Sequence, residues 1–161
     1  MLQPRIEIAK ERKLVGARLK MSVANNRTQE LWGGFVPKIK KIINRLNDDK
    51  ISMQVYDPMY YQNFNPNTIF EKWAVVEVAD LENVPKELES FILISGEYAV
   101  FDYKGAGNDP GIFYYIFTKW LPNSEYELDN RPHFEILGEK YKNNHPDSEE
   151  QIWIPVKKKA G

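Results

Sequence analysis

One order of elements occurs twice along this chain, and it limits the possible folds more than any other feature. Residues 5–9 alternate apolar and polar side chains, as a half-buried strand does, and 13–23 continue extended with Val15, Ala17, Leu19, Met21 and Val23 on one side. Asn25-Asn26 breaks that pattern, and Thr28 is placed to cap a helix. Leu31, Phe35, Ile39, Ile42, Ile43 and Leu46 follow helical spacing, while Gly33-Gly34 and Pro37 predict an irregular or kinked helix. Strands over 51–56 and 69–79 follow, separated by a long loop at 57–67.

The order then returns. Residues 91–103 read as one long strand, or a bulged pair around Gly96. Asn108-Asp109-Pro110 starts a helix, with an Asn or Asp cap and Pro in the first turn. Ile112, Phe113, Ile116, Phe117 and Trp120 form its apolar stripe, and Leu121-Pro122-Asn123 ends it. Residues 132–138 and 151–156 are the closing strands. Gly16 stands before the first helix much as Gly96 stands before the second, and Val36-Pro37 matches Leu121-Pro122, an offset of about 80 residues. The expected fold is α+β: two pseudo-twofold β-α-β-β repeats, approximately 5–80 and 90–157, within one domain spanning 1–161. They would form a largely antiparallel sheet with helices on one face, leaving the other face free for a ligand cleft between the halves.

A chain of 161 residues buries enough surface to fold without staples. It has no cysteine, which excludes disulfides and thiolate sites. No apolar leader and no run of about 18 apolar residues is present, so the expected location is the cytoplasm, with no membrane partner. Net charge is −1. The basic clusters Lys38-Ile39-Lys40-Lys41 and Lys157-Lys158-Lys159 are too short for a nucleic-acid footprint and read as a solvated helix face and a tail. Aromatic residues make up 13%, more than a core of this size needs, so some rings are candidates to line a site.

The period of two sorts the strand residues by face. With Phe134 and Ile136 under the helices, His133, Glu135 and Leu137 point the other way. With Ile152, Ile154 and Val156 in the core, Trp153 points away. Ile51, Met53 and Val55 leave Tyr56 with Gln54, and Ala74, Val76 and Val78 leave Trp73 with Glu77. One face is therefore expected to carry Tyr56, Trp73, Glu77, Glu135 and Trp153, with Tyr98 nearby. Aromatic walls around a carboxylate suit a flat, amphipathic, cationic ligand, with each cation–π contact worth about 0.5–2 kcal/mol. Strands also carry Tyr, Trp and Glu on ordinary solvent-facing surfaces, so each residue alone is equally consistent with that. Glu135 is the foremost candidate, because its neighbours are apolar and its strand is expected to be central.

Other chemistry finds no support. Only His133 and His145 are available as histidines, and there is no nucleophile elbow. His145-Pro146-Asp147-Ser148-Glu149 is a polar turn rather than a metal site. In Gly105-Ala106-Gly107-Asn108-Asp109-Pro110-Gly111 the third glycine is one residue late for a dinucleotide loop, no Walker lysine follows, and Asp109 would repel phosphate. No metal or cofactor is expected.

Residues 95–105, the helix ending at Trp120-Leu121-Pro122, Arg131-Pro132-His133-Phe134-Glu135-Ile136, and Gln151-Ile152-Trp153-Ile154-Pro155-Val156 together resemble the GyrI-like, or AraC-type effector-binding, domain. The resemblance covers essentially the whole chain, with the specific part in the C-terminal half. It implies two β-α-β-β units around a ligand cleft, where a buried Glu on the penultimate strand meets cationic aromatic drugs among Tyr and Trp rings. Glu135 is the matching carboxylate and Trp153 the matching aromatic of the last strand. Ile136-Leu137 departs from the commoner pattern, in which a Tyr follows the Glu. The chain starts almost at the first strand, so no DNA-binding segment is expected and no direct nucleic-acid partner.

Three functions compete. The first is a stand-alone binding module for amphipathic aromatic, cationic compounds, of the transcription-regulator effector type. The second is a hydrolase of electrophilic toxins, with Glu135 as the catalytic group. The third is a gyrase-inhibitor-like protein whose partner is a regulator or gyrase.

Overall fold

The computed structural model describes residues 2–160. Strands β1 (Arg5–Ala9) and β2 (Arg12–Met21) lead into helix α1 (Thr28–Phe35), which tightens into a 3₁₀ turn at Val36–Lys41. Strands β3 (Lys50–Val55), β4 (Phe70–Val78), β5 (Glu89–Leu93) and β6 (Gly96–Lys104) follow. Helix α2 (Gly111–Tyr115) widens into a π turn at Ile116–Trp120 and closes with α3 (Leu121–Asn123). Strands β7 (Tyr126–Leu128), β8 (His133–Leu137) and β9 (Glu149–Lys158) complete the chain.

All ladders are antiparallel, in the order β1-β6-β9-β8-β3-β4-β2-β5, with β7 beside β9. From either end the order reads alike: a short strand, a long first strand, then the two strands that follow a helix. The α+β architecture stands as expected, but residues 91–103 are neither one long strand nor a bulged pair: they divide into β5 and β6, which pair with different neighbours.

The short strands add something local patterning does not show. β1 flanks β6 of the second half, while β5 flanks β2 of the first. Yet only Lys10 and Glu11 separate β1 from β2, and only Ile94 and Ser95 separate β5 from β6. Two linking residues span at most about 11 Å. Strands at opposite ends of the order are therefore tied together twice, and the sheet curls so that its ends approach, with no ladder closing it among the described residues.

Directly paired residues of an antiparallel ladder share a face. One row across the sheet reads Ala17, Ala74, Ser52, Glu135, Ile152, Phe101. Ala74 packs with Leu31 and Phe35 of α1, and Phe101 and Ile152 pack with Ile116 beyond α2, so this row faces the helices. The adjacent row reads Arg18, Trp73, Met53, Phe134, Trp153, Val100 and faces the inside of the curl.

Here the structure corrects the expected face sort. Ile51, Met53, Phe134 and Ile136 lie not under the helices but on the opposite face, in one cluster with Trp73, Tyr98 and Trp153. That face is a core rather than an open groove. Each fully buried large side chain on it contributes about 1.5–3 kcal/mol. The candidate cleft between the halves is therefore on the helix side, above β3 and β8, in the row of Ser52 and Glu135.

The first helix also departs from its apolar spacing. It ends at Lys41, and Ile42 is extended. Pro37 sits in the first turn of the 3₁₀ segment, and the next residues are drawn to the edge of β4. Leu46 N–H donates to Glu77 O at 3.0 Å, and Ala79 N–H donates to Asn44 O at 3.0 Å. Ile43 and Leu46 are exposed as a result. Thr28 makes no capping bond. Its backbone N–H donates to Asn26 Oδ1 at 2.9 Å, and its hydroxyl faces Met21 and Lys72 instead of the helix start. Gly16 is required where β2 crosses close to β4, since a Cβ there would lie 1.9 Å from Ala74 O.

Candidate functional site

Residues 133–137 form the strand on which the site is built. β8 is central, and Glu135 pairs with Ser52 on one side and Ile152 on the other. Its side chain enters the space between the two helix-covered clusters and is 9% exposed. Gln54, two residues along β3 from Ser52, donates its Nε2–H to Glu135 Oε1 at 3.2 Å. The same amide donates to Ser52 Oγ at 3.2 Å, which fixes its orientation.

An aromatic wall closes one end of this cleft. Tyr56 continues β3 beyond Gln54, and its ring lies 4.9 Å from His133, 4.5 Å from Tyr60 and 5.1 Å from Phe70. Tyr61 comes from the 57–67 loop. Its ring stacks on Phe117 at 4.6 Å and on His133 at 5.5 Å, bridging the second helix and the sheet. The loop is shaped by Asx turns: Asp57 Oδ1 accepts from Met59 N–H at 2.9 Å, and Asn65 Oδ1 from Asn67 N–H at 2.8 Å. Beyond the wall lies a cavity of about 550 Å³, lined by Tyr56, Tyr61 and His133 with Arg131 and Asp129. A second, of about 440 Å³, adjoins the other end of β8 at Ile136, Tyr103 and Glu150.

Burial dominates the electrostatics. It pushes the Glu135 carboxyl up to about 7, with Lys72 opposing and Glu150 adding to the rise. Glu150 is likewise pushed up to about 7 by burial, against the pull of Lys72. Lys72 is lowered by the same loss of water, with Glu135 and Glu150 holding its charge. Burial takes His133 down to about 3, so it is neutral at physiological pH. Tyr56 and Tyr61 are both raised by burial and remain phenols. The cleft thus offers a poorly hydrated carboxylate, neutral hydroxyls and ring faces. Such a carboxylate gains from an incoming cation what water no longer supplies.

The structure divides the residues singled out from the sequence. Tyr56 and Glu135 share the cleft. Trp73, Glu77, Tyr98 and Trp153 lie on the opposite face, so the expectation of one common surface is corrected. Trp153 stacks on Phe134 at 5.1 Å beneath the Arg12 guanidinium, and its Nε1–H donates to Gln151 Oε1 at 3.1 Å. Trp73 is 4% exposed and donates its Nε1–H to Glu71 Oε1 at 2.6 Å. Glu77 is paired to Arg12 at 3.1 Å. Tyr98 donates to Pro132 O at 2.8 Å, and its ring faces the Arg131 guanidinium at 4.6 Å.

Lys72, Glu150 and Tyr61 belong to the site and were not anticipated. A signal existed for two of them. Lys72 is in phase with Ala74 and Val76, and Glu150 with Ile152 and Ile154, so each is a charge at a core position of its strand. Among the described residues, no group of three or more His, Cys, Asp or Glu is arranged to hold a metal, and no helix is long and apolar enough to cross a membrane.

Residues 5–156 match the Cass2 family, described as integron-associated effector binding protein. No curated protein matches the chain. Among solved structures, SAV2435 bound to tetraphenylphosphonium is similar, with a TM-score of 0.66 at 16% identity, covering 97% of this chain and 94% of that one. The C-terminal domain of EcmrR has a TM-score of 0.71 at 12% identity, covering 99% of both chains. A structure described as a hydrolase from Listeria innocua has a TM-score of 0.58 at 11% identity, covering 96% of this chain and 92% of that one. At these identities the likeness is one of fold.

Proposed function

The chain belongs to the Cass2 family of integron-associated effector binding proteins, and from that premise we propose that it binds an amphipathic aromatic ligand bearing a cationic group in the cleft over β3 and β8. Glu135 carries this reading: a carboxylate on the central strand, nearly closed to water and walled by Tyr56, Tyr61 and His133. Rings stack on a flat ligand, and the carboxylate selects for positive charge. The EcmrR domain gives the fold a regulatory precedent, and the SAV2435 structure shows a lipophilic cation bound to a similar fold. The cysteine-free composition fits a reducing, cytoplasmic setting.

A second reading rests on one specific observation. A carboxyl held at about 7 beside neutral tyrosines has the affinity for protons that a general base needs at neutral pH. Glu135 would then take a proton from water attacking an electrophilic ligand, as a hydrolase requires. Calorimetric titration with tetraphenylphosphonium tests the binding reading. Mass spectrometry of electrophilic aromatic compounds after incubation tests the hydrolytic one. Saturable heat with every compound recovered intact supports a binding protein, and a product heavier by one water, lost in Glu135→Gln, supports a hydrolase. No saturable heat at two well-separated temperatures overturns the binding reading, since burial of apolar surface makes the binding enthalpy change with temperature.

A further inference from the structure

Three charged groups share the cleft floor, and they are not paired with one another. Lys72 rises from β4, Glu135 from β8 and Glu150 from β9. They lie on the helix side, by register with Ala74 and Ile152. Lys72 and the two carboxylates feel each other's charge. Yet among the described residues none of the three has an ion-pair partner within 4.0 Å.

A lysine serving only to neutralise Glu135 would reach it. The stem is long and flexible, and attraction in a poorly hydrated cleft is strong. Lys72 is held elsewhere: its Nζ donates to Thr28 Oγ1 at 3.2 Å, at the start of α1. Thr28 is available for this because it makes no helix cap, and its own hydroxyl proton is directed at Met21 Sδ, 3.7 Å away. Glu135 is held by Gln54 of β3, which pairs in register with Lys72 and so stands between the two charges. The positive end of the floor thus belongs to the first half of the chain and the negative end to the second. β4 and β8 are two strands apart, about 10 Å at the backbone. A purely cationic ligand on Glu135 would stand in the repulsive field of Lys72.

We propose that this cleft selects zwitterionic aromatic ligands, with the cationic group at Glu135 and Glu150 and an anionic or strong acceptor group at Lys72. Lys72 is then a specificity-determining residue, held in place by Thr28. The inference rests on the binding function proposed above and adds a second recognition charge to it.

The test uses one diaminoxanthene dye in two forms, the free carboxylic acid (a zwitterion at pH 8) and its methyl ester (a cation). Fluorescence anisotropy gives Kd for both with the wild-type chain and with Lys72→Met. The expected result is a wild type that binds the acid at least tenfold tighter than the ester. Lys72→Met should weaken the acid at least tenfold and leave the ester equal or tighter. Equal affinity for the two forms in the wild type, or an equal shift of both in the variant, overturns the inference while leaving the binding function intact. Failure of both dyes to saturate the wild type overturns both. Should Lys72→Met not fold, the wild-type ratio of acid to ester decides alone.

Discussion

Gln54 donates one amide hydrogen to Glu135 at 3.2 Å, and it is the carboxylate's one side-chain hydrogen-bond partner among the described residues. A buried carboxylate with a single neutral donor is under-solvated, and burial accordingly outweighs every other influence on its proton affinity. The carboxylate is therefore held at a cost to the ligand-free protein, which a cationic ligand of the kind proposed would offset.

That cost is measurable as stability. Burial raises the Glu135 carboxyl from 4.5 to about 7, so the folded chain binds this proton more tightly than the unfolded chain does. The corresponding stability is fully present below the unfolded value of 4.5 and is lost as pH rises to about 7. Glu135→Gln removes the charge without changing the shape. At pH 8 it should stabilise the ligand-free protein by about 2 kcal/mol, and at pH 4 by far less. Urea denaturation at the two pH values checks this.

Cation binding should follow the same proton in the opposite sense. Below pH 7 Glu135 is protonated and attracts a cation weakly, and above it the carboxylate is available. Glu150 titrates in the same range, while His133 stays neutral and Tyr56 and Tyr61 remain phenols. Lys72 opposes the approach of the cation. Affinity for tetraphenylphosphonium should be roughly tenfold weaker at pH 6 than at pH 8, since one pH unit below the carboxyl's value is worth about 1.4 kcal/mol. Calorimetry in buffers of different ionisation enthalpy should also register proton release on binding.

Tyr61 stacks between Phe117 and His133 at the edge of the 550 Å³ cavity, and under the proposed function it stands where a flat ligand would enter. Tyr61→Ala should therefore speed association of a diaminoxanthene dye several-fold, as read by stopped-flow fluorescence. It should also speed dissociation, because a ring is lost from the wall. An unchanged association rate would place the entrance elsewhere.

Much of the element pattern was legible because alternation survives in most strands and helical spacing survives in the first turns of α1 and in the segment from α2 to α3. The assignment of faces was not. In β4 the run Trp73-Ala74-Val75-Val76 is buried on both sides, so parity groups its residues without saying which group meets a helix. β4 was nonetheless assigned rightly, with Ala74 and Val76 under α1, whereas β8 was not: Phe134 is fully buried, but against Trp153 rather than under α2. Glu135 and Tyr56 were grouped correctly, because their shared face depends only on parity within β3 and β8 and on their pairing. The exchange of β1 and β5 between halves had no local signal, since a five-residue strand does not encode its partner. The three residues of β7 were too few to show a period. Lys72 and Glu150 stood in phase with core positions, where a charge is informative. Tyr61 sits in an irregular loop, where no periodicity indicates direction.

The central claim is that Glu135 selects positive charge inside an aromatic cleft. The most direct test measures one lipophilic aromatic cation and its neutral isostere against wild type and Glu135→Gln by titration calorimetry at pH 8. The account predicts that the substitution weakens the cation by about 1–3 kcal/mol and the neutral compound much less. Equal losses for both, or none for either, would contradict it.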